Sequence, residues 1–67
     1  MTITYEEIEY RRDDKVIRVE KYAARPYFVP LWRVTFTDKW TRFPYVVRDG
    51  LRCKPSKRQI ENYFNTL

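Results

Sequence analysis

The segment Leu31-Trp32-Arg33-Val34-Thr35-Phe36-Thr37 alternates apolar and polar side chains from Trp32 onward. That period of two belongs to a strand with one buried and one wet face. A helix would place those apolar residues on no common side. The residues that follow, Asp38-Lys39, can turn the chain, and Trp40 to Val46 can return antiparallel. Pairing about that turn sets Val34 opposite Phe43 and Trp32 opposite Tyr45 on an apolar face. Thr37–Trp40, Thr35–Arg42 and Arg33–Pro44 fall on the other. Pro44 has no N–H to give a ladder, so its strand belongs at an edge or carries a bulge there.

A second hairpin is expected over residues 3–22. Its register follows from a two-residue turn at Asp13-Asp14, with Arg12 opposite Lys15. Tyr10–Ile17 and Ile8–Val19 then share one face as apolar cross-strand pairs. Glu9–Arg18 and Tyr5–Tyr22 share the other, with a like-charged pair at Glu7–Glu20. Residues 23–30 connect the hairpins. Pro26 and Pro30 fix their own φ, and Tyr27-Phe28-Val29 between them suggests a segment crossing the core. Asp49-Gly50 reads as a tight turn, because glycine accepts positive φ; a short fifth strand over Leu51 to Lys54 could follow it.

The C-terminal segment reads as a helix over 57–67. Ser56 and Gln59 form an S-x-x-Q capping box. Ile60, Tyr63, Phe64 and Leu67 make one apolar stripe. About 11 residues of helix are marginal alone, so the stripe must dock on the sheet. The expected class is therefore α+β and strand-rich: one domain of 67 residues, with four or five antiparallel strands in an open sheet or small SH3-like barrel and a helix packed on it. In its order of elements the chain resembles two kinds of small DNA binder, the archaeal chromatin-type SH3-like barrel and the three-stranded-sheet-plus-helix domain of integrase arm-binding modules. The resemblance is one of architecture, and no residue is carried over from it.

Composition narrows the functional classes. There is no histidine, the usual general base and metal ligand. One cysteine, Cys53, builds neither a disulfide framework nor a cysteine zinc site. One glycine cannot form a phosphate-cradling loop. No apolar run reaches the roughly 20 residues of a membrane span. Asp13, Asp14, Asp38 and Asp49 fall in expected turns, and Glu6 and Glu9 face Lys21 and Arg18, so the carboxylates have structural work rather than a catalytic pairing. The expectation is a binding protein without metal or cofactor, not an enzyme, in the reducing cytoplasm.

Charge points to the partner. The formal net charge is +5. Residues 1–24 carry a net −1, residues 25–50 a net +3 and residues 51–67 a net +3. The excess lies in the second half of the chain. Arg33, Lys39 and Arg42, interleaved with Thr35, Thr37 and Trp40, suit phosphate contacts with a base-stacking or wedging indole. Arg52, Lys54, Lys57 and Arg58 gather at the helix start, where they oppose the helix dipole unless an anion binds there. These eight residues, Arg33, Lys39, Trp40, Arg42, Arg52, Lys54, Lys57 and Arg58, form the expected nucleic-acid surface. Duplex DNA is preferred over RNA because a β-ribbon fits the major groove. The rival expectation is a protein-binding accessory or inhibitor, or a homodimer, acting through Tyr5, Tyr22, Tyr27, Trp40 and an edge strand, since Tyr and Trp dominate interfaces.

Overall fold

The computed structural model describes residues 2–41 and 43–66. Four strands, β1 (Thr2–Arg12), β2 (Lys15–Ala24), β3 (Leu31–Thr37) and β4 (Tyr45–Leu51), precede one helix, α1 (Lys57–Thr66). The strands form a single antiparallel sheet in the order β1-β2-β3-β4. β1 and β4 are its two edges and do not pair with each other, so the sheet is open rather than a barrel.

The first hairpin has the expected register from Arg12↔Lys15 to Glu6↔Lys21. Asp13 adopts φ 55 in its turn, a left-handed conformation that a short polar side chain tolerates. Beyond Glu6 a bulge leaves Tyr5 unpaired and sets Thr4 opposite Tyr22. The expected Tyr5–Tyr22 pair does not form. The extra residue brings Ile3 opposite Ala23, in line with Val19 and Ile17; an unbroken ladder would have put Thr4 there. Apolar matching thus outweighs ladder regularity.

β2 and β3 supply the core. Ile17 faces Phe36, Val19 faces Val34 and Lys21 faces Trp32. The intervening segment 25–30 does not cross the core. It turns at the end of the sheet, closed by a 3.1 Å bond from the Phe28 N–H to the Ala24 carbonyl. Tyr27 and Val29 are exposed there.

The second hairpin departs most from expectation. A seven-residue loop, 38–44, replaces the two-residue turn, and Tyr45 pairs with Phe36 instead of Trp32. The Asp38 carboxylate accepts the Trp40 N–H at 2.9 Å and the Thr41 hydroxyl at 2.6 Å. The Thr41 N–H also reaches the Asp38 carbonyl at 3.2 Å. This local turn holds the chain away from the ladder, and Pro44 has no N–H to rejoin it. Phe43 and Tyr45, expected in the core, are consequently 78% and 60% exposed. Asp49-Gly50 is not a hairpin turn but part of β4. Gly50 takes φ 70 where Arg48 opposite Val34 and Leu51 opposite Trp32 leave β4 one residue long, the usual setting of a glycine bulge. Residues 52–56 then lead directly to the helix, so the fifth strand does not form.

The capping box closes as the sequence predicts. The Ser56 N–H donates to Gln59 Oε1 at 2.9 Å, and the Gln59 N–H donates to Ser56 Oγ at 3.2 Å. Ile60 and Phe64 enter the cluster of Ile17, Val19, Trp32, Val34 and Phe36. Burying each such side chain contributes roughly 1.5–3 kcal/mol, which a ten-residue helix requires to persist. At the far end Lys15 Nζ reaches the Phe64 carbonyl at 3.5 Å and Arg12 donates to Asn65 at 2.9 Å. The helix covers one face of the sheet and leaves the other bare.

Candidate nucleic-acid interface

The strand register sorts the basic residues by face. Trp32, Val34 and Phe36 lie on the helix side, so Arg33, Thr35 and Thr37 lie on the bare side. On that bare face most charge is matched. Arg18 lies 3.0 Å from Glu7 and 3.8 Å from Glu9, and Arg11 lies 3.2 Å from Glu9. Thr35 is buried, its hydroxyl 3.5 Å from the Arg18 carbonyl.

Arg33 is held in a three-residue cluster. Its guanidinium carbon sits 4.4 Å from the centre of the Tyr22 ring, and its Nε lies 3.4 Å from Asp49 Oδ1. The same carboxylate oxygen accepts the Tyr22 hydroxyl at 2.5 Å and the Gly50 N–H at 2.8 Å. Donating that bond to Asp49 makes the Tyr22 hydroxyl harder to ionise, and its pKa is raised. Partial burial pushes the Asp49 carboxyl upward, but the Tyr22 hydroxyl, the Gly50 N–H and Arg33 outweigh it and hold it below the usual carboxylate range. Arg33 loses some hydration and regains more from Asp49, so it stays cationic. Tyr22, expected at the surface as an interface residue, is 8% exposed. It lies under Arg33 because the bare face is covered there by its own side chains.

Lys39 and Trp40 project from the 38–44 loop. Lys39 Nζ lies 3.3 Å from Asp14 and 5.0 Å from the Trp40 ring centre, and Trp40 is 81% exposed. The Asp38 carboxyl beneath them is held below the usual carboxylate range, first by the Thr41 hydroxyl and then by backbone N–H groups. Arg42, the remaining expected contact of this loop, lies outside the described residues.

The helix-start cluster is differently placed. Arg52, Lys54, Lys57 and Arg58 are all exposed. Lys54 lies 3.9 Å from Glu6 and 5.9 Å from the Trp32 ring centre, with Lys21 at 5.8 Å from the same ring. Arg52, Lys57 and Arg58 make no ion pair among the described residues. The first turn of α1 contains no acidic residue. Lys57 also borders a groove of about 420 Å³ between β1 and α1, shared with Arg11, Arg12, Tyr10, Ile60 and Phe64.

The expected surface therefore divides. Lys39 and Trp40 follow Thr37, at the Asp13-Asp14 end of the sheet, while Lys54 stands beside Trp32. Five strand residues separate these levels, roughly 17 Å. Arg33 faces away from the helix. The groove basics Arg11 and Arg12 and the Tyr22–Arg33–Asp49 cluster were not expected from sequence, because both depend on which strands and helix are neighbours. Tyr5 is 56% exposed at its bulge and Tyr27 is 84% exposed. No helix among the described residues is long and apolar enough to cross a membrane, and no group of metal-ligating side chains occurs among them. Compared with known families, characterised proteins and solved structures, the chain matches none.

Proposed function

We propose that this chain is a small nucleic-acid-binding module, with duplex DNA as the preferred ligand. The observation that carries this reading is the exposed set Arg52, Lys57 and Arg58, cationic and without acidic partners, at a helix start where positive charge costs stability. Phosphates would turn that cost into attraction. Lys54 adds to the set, and Lys39 with Trp40 forms a second contact from the 38–44 loop, the indole stacking on or wedging between bases. Arg33 acts mainly inside the fold, since Tyr22 and Asp49 occupy it. Exposed Cys53 suits a reducing, intracellular compartment.

The test is a set of variants titrated with labelled duplex DNA. Lys57→Ala and Arg58→Ala should each weaken binding on every sequence and lower the salt slope by about one unit. Trp40→Ala should weaken binding with little change in slope. Equal affinity of all three variants and the parent would exclude this surface.

A second reading rests on a separate observation. Trp40, Phe43, Tyr45 and Val46 are all exposed within one short stretch of chain. Such a patch suits a protein partner. Retention of a partner by the parent protein and its loss on Phe43→Ala, with no DNA bound by either, would favour this reading.

A further inference from the structure

The two sheet edges differ in how ready they are to accept another strand. β4 carries two register shifts within its seven residues and a positive-φ glycine, so its outer edge is irregular. Bulges of this kind blunt an edge. β1 runs without a break from Glu6 to Arg12, and most of its residues are exposed. A two-residue turn closes on a hydrogen-bonded pair, here Arg12 with Lys15. Alternation then turns the backbone groups of Glu7, Glu9 and Arg11 away from β2. They are a ready template for a further strand.

The side chains of this edge specify what the further strand is. Acidic residues, Glu6, Glu7 and Glu9, lead the segment and basic residues, Arg11 and Arg12, end it. Laid antiparallel on itself about Glu9, the segment sets Glu6 opposite Arg12 and Glu7 opposite Arg11 of a second copy, and the reverse pairs repeat across the axis. Ile8 falls opposite Tyr10 on the helix side. The two members of each pair lie on the same face, as an antiparallel ladder demands. The one like-charged pair, Glu9 with Glu9, is flanked in each copy by Arg11 at 3.2 Å and Arg18 at 3.8 Å. Sliding the copies by one pleat in one direction brings Glu7 against Glu9. Sliding in the other shortens the overlap to residues 8–12.

We propose that the chain forms a homodimer through antiparallel β1–β1 pairing centred on Glu9, giving one continuous eight-stranded sheet with both helices on the same face. The groove beside Tyr10, Ile60 and Phe64 of each copy then lies between the two helices. This inference does not depend on the nucleic-acid reading.

Sedimentation equilibrium of the full chain, over a wide concentration range, tests it. The parent should show twice the monomer mass of 8.4 kDa. Glu7→Arg and Arg11→Glu each place two like-charged pairs across the interface and should weaken association at least about tenfold. The double variant Glu7→Arg/Arg11→Glu restores the pairs and should restore the dimer. Thermal melts confirm that each variant folds, as exposed substitutions should allow. Val46→Lys, on the opposite edge, should leave the mass unchanged. A parent that stays at the monomer mass throughout, a dimer indifferent to both charge reversals, or a dimer dissociated by Val46→Lys would overturn the proposal.

Discussion

The two hairpins start from similar sequence signals and end in different structures. β1–β2 turns in two residues and keeps one register over most of its length, with its charges paired across its bare face. β3–β4 turns through seven residues, carries two register shifts and leaves Trp40, Phe43 and Tyr45 exposed. Alternation sets which residues of a strand share a face, but the turn sets the register. Asp13 closes the first turn by taking a left-handed conformation, whereas Asp38 spends its carboxylate on Trp40 and Thr41 and holds a wider loop. The first hairpin is built for regularity. The second displays side chains.

The largest effect should come from what both hairpins share. Ile17 is fully buried on β2 and packs in the cluster with Phe36 and Phe64. Ile17→Ala should cost about 2–5 kcal/mol in urea unfolding. A loss confined to one hairpin, seen as two separate transitions, would break the picture of a common core.

Next is the tie between the second hairpin and the first. Asp49 of β4 binds Tyr22 of β2 and faces Arg33 of β3. Because this carboxylate is partly exposed, Asp49→Asn should cost only about 1 kcal/mol. Its pKa is depressed on folding, so the charged form is the one the fold favours. That stability is present above the ordinary value of 3.8 and is lost as pH falls through the lower folded value. Tyr22 behaves oppositely. Its raised pKa means that its contribution is complete below 10.0 and disappears as pH rises through the folded value. Melting temperature against pH should therefore fall at both extremes in the parent, and more gently at the acid end in Asp49→Asn.

Smaller effects distinguish the turns. Asp13→Gly should stabilise by about 0.5 kcal/mol, since glycine adopts φ 55 without the steric cost. Trp40→Ala, at an 81% exposed position, should change stability by less than about 0.5 kcal/mol. A larger loss there would mean that the indole holds the loop and is not free for a ligand.

Most of the architecture was legible in sequence for reasons these residues make plain. Ile8–Val19 and Tyr10–Ile17 gave the first register, and Ser56 with Gln59 marked the helix start because both signals are local. The bulge at Tyr5 was hidden, since it depends on Ile3 seeking the side of Ala23. Asp49-Gly50 was misleading: a positive-φ glycine serves a bulge as well as a turn, and only the neighbouring strand decides. The candidate surface was legible as charge but not as shape. Arg33 and Arg52 look alike in the sequence, yet a tyrosine 11 positions before Arg33 and an aspartate 16 positions after it engage only the first.

The central claim is that the exposed cations of the helix start and loop bind phosphate. It is tested most directly by fluorescence anisotropy of labelled duplex DNA, single-stranded DNA and RNA, titrated with the protein at about 50 and about 200 mM salt. The account predicts binding to duplex in preference to the other two, falling with salt as several counterions are released. Absence of binding to all three at the lower salt would contradict it.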